Sequence, residues 1–195
     1  MIDADVFLSH SHKDEKTAIA FAGFLKKEFE LNTFIDSCVW GYANDLLKRI
    51  DDTYCRQAKR NRYNYDKRNI STTHVHILLN SALAKMIDNT ECIMFLNTPN
   101  SLSLDDELKK QQTGSPWIYS ELLITSLIKK KNYRKNTKTG IMHFEESLEI
   151  VYDLPLDNLI ELNCNQLMVW KNEYKSYRKN NLINALDILY NDLKS

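Results

Sequence analysis

The sequence predicts an α/β protein in which a parallel sheet carries helices on both faces. Short apolar segments that end in polar residues, a pattern typical of buried strands, alternate with longer segments whose apolar residues follow helical spacing. Of the 195 residues, 43% are hydrophobic, which is enough for one domain with a substantial core. The chain contains only four glycines and three prolines, which disfavours repeats and flexible linkers.

The N-terminal part of the chain contains two predicted strands and two predicted helices. A buried strand is expected over 6–8, and a helix over 11–30, where serine and aspartate are good caps for the first turn. The second strand covers 31–35. An aromatic loop bent at a glycine follows over 37–44, and an aspartate caps the next helix over 45–54. This order suits the first half of a parallel sheet with crossover helices.

A basic segment around 55–75 interrupts this alternation. It contains one acid, Asp66, and six basic residues: Arg56, Lys59, Arg60, Arg62, Lys67 and Arg68. Such a run favours an inserted surface loop or a solvated extension of the next helix. Contact with a polyanion is the alternative. However, Lys+Arg and Asp+Glu both total 26, so the chain has no overall field to recruit nucleic acid or a membrane.

The rest of the chain continues the strand and helix pattern. Three further helices are expected, over 76–87, 115–131 and 181–194. Three further strands are expected, over 92–96, 149–152 and 159–162. Between them, a polar loop with a short turn is expected over 104–110. Together with the first two strands, these segments predict a sheet of five strands.

The helix that begins at Ser115 contains the leading candidate for a functional residue. Ser115 is a strong N-cap and Pro116 suits the first helical position, where no N–H is needed. The residues that follow are apolar on nearly every side, so the helix should be buried. Glu121 is the one acid in this run and lies four residues after Trp117, on the same face. A buried carboxylate is costly unless it is paired, protonated or facing a cleft, so Glu121 needs an explanation.

Polar residues also lie at the carboxyl ends of the first three predicted strands. Ser9 and His10 follow the first strand, Asp36 the second and Asn97 the third. In a parallel sheet these ends meet along one edge, where such folds bind ligands. The helix with Glu121 comes after the third strand, so this carboxylate could face the same crevice. We therefore treat these residues as candidate ligand-binding residues.

Four motifs in the right order resemble a TIR domain. They are D-V-F-L-S-H-S-x-x-D over 5–14, F-I-D over 34–36, a loop with tryptophan and glycine at 40–41, and S-x-W-x-x-x-E-L over 115–122. The resemblance covers nearly the whole chain, and implies a single TIR domain over 1–195. It also implies a flavodoxin-like fold with a five-stranded parallel sheet and helices on both faces.

The resemblance implies two possible functions. Some TIR domains only self-associate, as non-catalytic modules for interaction and assembly. Others cleave NAD+ between nicotinamide and ribose, using the glutamate that Glu121 matches here. A stand-alone TIR protein is most similar to the bacterial Thoeris antiphage enzymes. Those make a cyclic or conjugated signal from ADP-ribose that activates an effector protein. Self-association and a phage-derived activator are further expected partners, with NAD+ as substrate and no cofactor.

The residue types suit this chemistry. Breaking the bond to nicotinamide leaves a cationic ribose and a neutral leaving group, so one carboxylate can stabilise the charge without a general acid. The resemblance gives Glu121 that role, and Trp117 on the same face can pack against nicotinamide or ribose. The other candidate substrate-binding residues are Ser9, His10 and Asp36 for ribose or phosphate, Trp40 and Tyr42 for stacking on adenine, and Asn97.

Structural interpretations remain open for several of these residues. Glu121 could pair with a lysine or arginine on a neighbouring element, and Trp117 could be a core anchor. Asp36 could serve only as a turn former. A non-catalytic module would assemble through the loop around Trp40. Retention of Trp117 and Glu121 together favours the enzyme, because a pure adaptor needs no carboxylate in that position.

Other functional classes are disfavoured by missing patterns. Two H-x-H pairs, at 10/12 and 74/76, lack a third ligand at zinc-binding spacing, so no metal is expected. The four glycines form no phosphate-binding loop, which argues against a dehydrogenase or an NTPase. The four cysteines form no C-x-x-C pair, the N-terminus lacks a basic leader, and no apolar run reaches membrane-spanning length. We therefore expect a cytoplasmic protein.

Overall fold

The computed structural model describes residues 3–57, 62–105, 110–128, 142–144, 150–157, 159–178 and 184–192. These residues form six α-helices: α1 (Glu15–Phe29), α2 (Ser37–Ile50), α3 (Tyr65–Asn89), α4 (Pro116–Ile128), α5 (Cys164–Arg178) and α6 (Ala185–Asp192). They also form seven strands: β1 (Val6–Ser9), β2 (Thr33–Ile35), β3 (Cys92–Phe95), β4 (Ser103–Asp105), β5 (Lys110–Thr113), β6 (Met142–Phe144) and β7 (Ile150–Asp153). None of the described helices is both long and apolar enough to cross a bilayer.

A three-stranded parallel sheet lies at the centre of the molecule. Its strand order is β2-β1-β3, and Phe7 of β1 lies opposite Phe34 of β2 and Ile93 of β3. Successive side chains of β1 point to opposite faces, so Val6 and Phe7 enter different cores. The predicted α/β class and parallel sheet are confirmed.

Helices cover both faces of this sheet, as predicted. On the face of Val6, helices α1, α5 and α6 form the larger core, in which Trp170 has no exposed surface. The ring centroids of Trp170 and Phe29 are 3.7 Å apart, and the Trp170 indole N–H donates to the Ala185 carbonyl at 2.7 Å. On the face of Phe7, helices α3 and α4 form the second core.

The predicted five-stranded parallel sheet is wrong for the described residues, because neither of the last two predicted strands joins the main sheet. The predicted strand over 149–152 appears as β7, in a separate four-stranded antiparallel sheet of order β4-β5-β7-β6. No strand forms over 159–162, because Leu159 donates its N–H to the Leu156 carbonyl in a turn and Ile160 is exposed. Apolar runs identify strands but do not specify their partners, so the sequence could not separate the two sheets.

Two predicted loops also differ from the structure. The chain is helical from Ser37, at the start of α2, through the segment predicted as an aromatic loop. One glycine in a helix costs only about 1 kcal/mol relative to alanine, so Gly41 does not end the helix. The polar loop expected over 104–110 is shorter in the structure, because Leu104 and Asp105 belong to β4 and Lys110 to β5, while 106–109 lie outside the described residues. Leu104 lies opposite Gln111. Pairing with each other and with β7 stabilises these short polar strands in a way that no local pattern indicates.

Helix α5 was not predicted, although its start carries a recognisable signal. Asn163 accepts a hydrogen bond from the Gln166 N–H at 3.0 Å, and the Gln166 side chain accepts one from the Asn163 N–H at 2.9 Å. This reciprocal pair is a capping box, a sequence signature of a helix N-terminus. The C-terminal helix expected around 181–194 is represented by α6, while 181–183 and 193–194 lie outside the described residues.

The segment predicted as a basic insertion around 55–75 follows a π-helical turn, Asp51–Cys55, that continues α2. Within it, 58–61, with Lys59 and Arg60, lie outside the described residues. An isolated antiparallel bridge between Arg56 and Tyr63 follows, and α3 then begins at Tyr65. Asp51 is buried and accepts hydrogen bonds from the Arg68 and Ser71 side chains, both at 3.0 Å. These contacts attach the start of α3 to the end of α2.

Replacing Trp170 with phenylalanine tests the importance of the larger core. The variant loses the indole hydrogen bond and part of the stacked ring, so we expect the free energy of unfolding to fall by about 2 kcal/mol. Val169→Ala, at an exposed position of the same helix, should change it by less than about 0.5 kcal/mol. Urea unfolding of both variants measures the difference. Equal losses would contradict this view of the core.

Candidate functional site

The start of α4 follows directly from the sequence. The Ser115 hydroxyl accepts a hydrogen bond from the Ile118 N–H at 3.4 Å, and the Ser115 carbonyl accepts one from the Tyr119 N–H at 3.1 Å. Pro116 is the first helical residue, where the missing N–H costs nothing. The predicted N-cap is therefore confirmed. It fixes Trp117 and Glu121 in the first two turns of the helix.

Glu121 is almost completely buried, with 1% of its surface exposed. Ile118, Leu122 and Thr125 of the same helix are also buried, and the Thr125 hydroxyl donates to the Glu121 backbone carbonyl at 2.7 Å. The predicted burial of this acid is confirmed. A carboxylate in such surroundings interacts with nearby charges and dipoles much more strongly than it would in water.

Helix α4 is covered from two sides, which explains why it is apolar nearly all round. On one side, Ile124 and Ile128 pack into the core around Phe7. On the other, Tyr119 stacks on Tyr152 of β7 with ring centroids 4.7 Å apart. The small antiparallel sheet thus holds α4 against the main sheet. Glu121 lies three residues before Ile124 and therefore on the side of the main sheet.

Helices α3 and α4 run side by side in the same direction. Near the start of α4, Trp117 stacks on His76 of α3, with ring centroids 5.5 Å apart and planes 29° apart. Three turns further along each helix, Ile87 and Ile128 belong to the same core. Because α3 leads into the start of β3, it runs antiparallel to the strands of the sheet. His76 precedes Ile87 by about 16 Å of helix and therefore lies nearer the carboxyl ends of the strands. Trp117 and Glu121 are therefore near that edge.

Ser9 lies at the same edge and on the same face. It is the last residue of β1, two positions after Phe7, so its side chain points to the face that α3 and α4 cover. Its hydroxyl is fully buried and makes no hydrogen bond to any described residue. Buried hydroxyls nearly always have a partner, so this one indicates a place for a water molecule or a ligand.

His10 and Asp36 form an ion pair at the exits of β1 and β2. Both side chains are buried, and Nδ1 of His10 is 2.9 Å from Oδ1 of Asp36. Burial by itself lowers the pKa of His10, but the hydrogen bond to Asp36 and its negative charge outweigh that effect and hold the pKa above its ordinary value. The pair joins the ends of two neighbouring strands and places an imidazole beside a carboxylate at this edge of the sheet.

Asp14 joins the exits of β1 and β3. The Thr98 hydroxyl donates to one carboxylate oxygen, and the Asn100 amide donates to the other at 2.8 Å. The hydrogen bond from Thr98, followed by that from Asn100, holds the pKa of Asp14 below its ordinary value. The sequence indicates a helix cap at Asp14 but not its contacts with Thr98 and Asn100. Asn97, the residue predicted at this exit, is exposed.

The structure brings together some of the predicted site residues and not others. His10 contacts Asp36, and Ser9 shares its face of the sheet with Glu121. Asn97 is turned outward. The side chains of the predicted adenine-stacking residues, Trp40 and Tyr42, lie outside the described part of the chain.

His76 is a site residue that the sequence analysis missed. In the sequence, His76 stands out only as half of an H-x-H pair, whereas the structure places it against Trp117. Its neighbour in that pair, His74, is exposed. Positions 76, 80, 83 and 87 follow helical spacing along α3, and this pattern could have assigned His76 to a buried face. The described residues contain no group of three side chains that could hold a metal ion.

The structure thus places a buried hydroxyl, a buried acid and an aromatic pair near the carboxyl ends of the parallel strands. Comparisons with protein-family models, with curated proteins and with solved structures found no match. The function must therefore be argued from the chemistry of this site.

Asp14→Asn tests the contact between the exits of β1 and β3. Asparagine cannot accept both hydrogen bonds as a carboxylate does, so we expect the free energy of unfolding at pH 7 to fall by about 2 kcal/mol. Since the folded-state pKa is below the unfolded value of about 3.9, the wild-type advantage is complete above that value and is lost as the pH falls through the folded-state pKa. Urea unfolding at pH 7 and pH 3 measures both effects.

Asp88→Asn, at an exposed position near the end of α3, is the control and should change little at either pH. A loss of stability in Asp14→Asn that did not depend on pH would show that the charge of Asp14 has no part in this contact.

Asp36→Asn tests the ion pair with His10. Without the negative charge, burial dominates, so the pKa of His10 should move from above to below about 6.5. Because the folded-state pKa is raised in the wild type, the pair stabilises fully below about 6.5, and its contribution is lost as the pH rises through the folded-state pKa. NMR titration of the imidazole signals follows the change, with exposed His12 as internal control. If the pKa of His10 were the same in wild type and in Asp36→Asn, the ion pair would be ruled out.

Proposed function

We propose that this protein cleaves the bond between nicotinamide and ribose in NAD+, with Glu121 as the catalytic carboxylate. The observation that carries the proposal is the position of Glu121. It is 1% exposed, near the start of an otherwise apolar helix and close to the carboxyl edge of a parallel sheet. The buried hydroxyl of Ser9 on the same face adds a second polar group suited to a ligand.

The proposed reaction needs few protein groups. The C1′–N bond breaks with its electron pair going to the nicotinamide ring, which leaves as a neutral molecule and therefore needs no proton. Positive charge develops on the ribose, and the carboxylate of Glu121 stabilises it. Exclusion of water strengthens this interaction. Attack by water on the cationic sugar gives ADP-ribose and one proton, which passes to solvent, while attack by an internal or second nucleophile gives a cyclic or conjugated product.

The neighbouring residues have supporting roles in this proposal. Trp117, held by its stack with His76, provides an aromatic surface for nicotinamide one turn from Glu121. Ser9 can hydrogen-bond a ribose or phosphate oxygen. The ion pair of His10 and Asp36 positions the strand exits around the substrate.

The resemblance to TIR domains extends the proposal to fold and pathway. The strand order β2-β1-β3 corresponds to the first strands of the flavodoxin-like order 2-1-3-4-5, which supports a TIR-type fold. By the same resemblance, we assign the protein to bacterial antiphage defence in the cytoplasm. There its ADP-ribose-derived product would activate an effector protein, with self-association and a phage-derived activator as regulators.

A non-catalytic assembly module is the second candidate, and an exposed apolar surface favours it. Ile70, Ile77 and Leu78 of α3 are each more than half exposed, and Leu78 reaches 68%. Such residues on one helix suit contact with another protein. A pure module would have no use for a buried carboxylate at the ligand-binding edge.

Glu121→Gln distinguishes the two candidates. Glutamine keeps the shape of the side chain but cannot stabilise a cationic sugar, so we expect nicotinamide release from NAD+ to fall at least about 100-fold. Chromatography of products from wild type and variant measures it, with purified protein and with extracts of phage-infected cells as activator. Glu161→Gln, at an exposed position, should retain wild-type activity.

Thermal unfolding of both variants shows whether each is folded. Folded wild-type protein that released no nicotinamide under either condition would support the assembly module instead. If wild type and Glu121→Gln released nicotinamide at equal rates, Glu121 would not be the catalytic carboxylate.

A further inference from the structure

Asn80 of α3 has a buried polar atom that no described residue satisfies. Its side-chain carbonyl oxygen is inaccessible to solvent and accepts no hydrogen bond from any described group. A buried carbonyl without a hydrogen bond destabilises the folded state, because it has lost its contact with water. Such atoms are rare in folded proteins and call for a specific reason. A bound ligand that donates a hydrogen bond is one such reason.

The packing of α3 against α4 places Asn80 at the level of Glu121. His76 and Trp117 are in contact, and Asn80 and Glu121 each follow one turn later on their helices. Further along, Leu83 of α3 and the isoleucines of α4 share the core around Phe7, so the helices remain side by side. Asn80 and Glu121 therefore occupy matching positions on the two walls of the same interface.

We infer that Asn80 binds the ribose next to nicotinamide, accepting a hydrogen bond from one of its two hydroxyls while Glu121 faces the same sugar. This assignment rests on the proposed function. A vicinal diol offers two donors to two acceptors at the same level, which apolar neighbours cannot provide. Asparagine is suited to this position because it is uncharged, whereas a second carboxylate beside Glu121 would oppose its ionisation. Asn80 is thus a substrate-binding residue that helps to select a ribosyl substrate.

The test combines one substitution with two altered substrates. Asn80→Leu removes the acceptor and keeps a similar volume. Its kcat/KM for nicotinamide release should fall about tenfold with NAD+, the factor expected for one hydrogen bond. The substrates are NAD+ and its analogues that lack the 2′- or the 3′-hydroxyl of the nicotinamide ribose. On the analogue that lacks the hydroxyl bound by Asn80, wild type and Asn80→Leu should have equal kcat/KM, because that substrate cannot make the hydrogen bond to Asn80.

Controls separate binding by Asn80 from an effect on folding. Asn69→Leu makes the same substitution at an exposed position of α3 and should keep wild-type kcat/KM on all three substrates. Asn80→Ala is the second variant and should show the same pattern of kcat/KM on the three substrates as Asn80→Leu. Thermal unfolding identifies any variant that does not fold.

Three results would contradict the proposed role of Asn80. If Asn80→Leu keeps wild-type kcat/KM while Glu121→Gln loses activity, the role of Asn80 is wrong and the proposed function stands. If kcat/KM of Asn80→Leu falls tenfold on NAD+ and equally on both analogues, Asn80 does not contact a ribose hydroxyl. If folded wild-type protein releases no nicotinamide even with extracts of infected cells, both the proposed function and the role of Asn80 are wrong.

Discussion

The burial of one carboxylate in an apolar helix is the constraint around which the rest of the structure is arranged. Removing an ionised acid from water is costly, so Glu121 is compatible with a stable fold only where packing and polar groups compensate. Apolar packing of helix α4 on two sides offsets part of this cost, through Ile124 and Ile128 in the second core and Tyr119 against Tyr152 of β7. A single-sided surface helix would let water reach the acid and weaken its electrostatic effect.

The carboxyl edge of the sheet is stabilised by polar contacts between its exits. Asp14 joins the exits of β1 and β3, and the pair of His10 with Asp36 joins those of β1 and β2. The two contacts shift pKa values in opposite directions. Hydrogen bonds from Thr98 and Asn100 lower the pKa of Asp14, whereas Asp36 outweighs the effect of burial and raises the pKa of His10. These contacts fix the loops beside Ser9, so that the edge can present polar groups in a defined arrangement.

The two faces of the main sheet are covered by different kinds of residues. The face covered by α1, α5 and α6 is a conventional core, with Trp170 stacked on Phe29. The face covered by α3 and α4 combines a smaller apolar core with the polar and aromatic residues of the candidate site. This division allows Glu121 and the side-chain oxygen of Asn80 to be buried without weakening the larger core, which supplies much of the apolar burial.

The sequence by itself determined the α/β class, the first three strands, the start of α4 and the burial of Glu121. Each depends on local patterns, namely apolar runs, helical spacing and the serine–proline cap at Ser115 and Pro116. Only the tertiary structure decided that β7 belongs to an antiparallel sheet, that His76 stacks on Trp117 and that Asn80 lies level with Glu121. Strand partners and helix register depend on contacts between distant segments, and periodicity within one segment does not encode the identity of its partner.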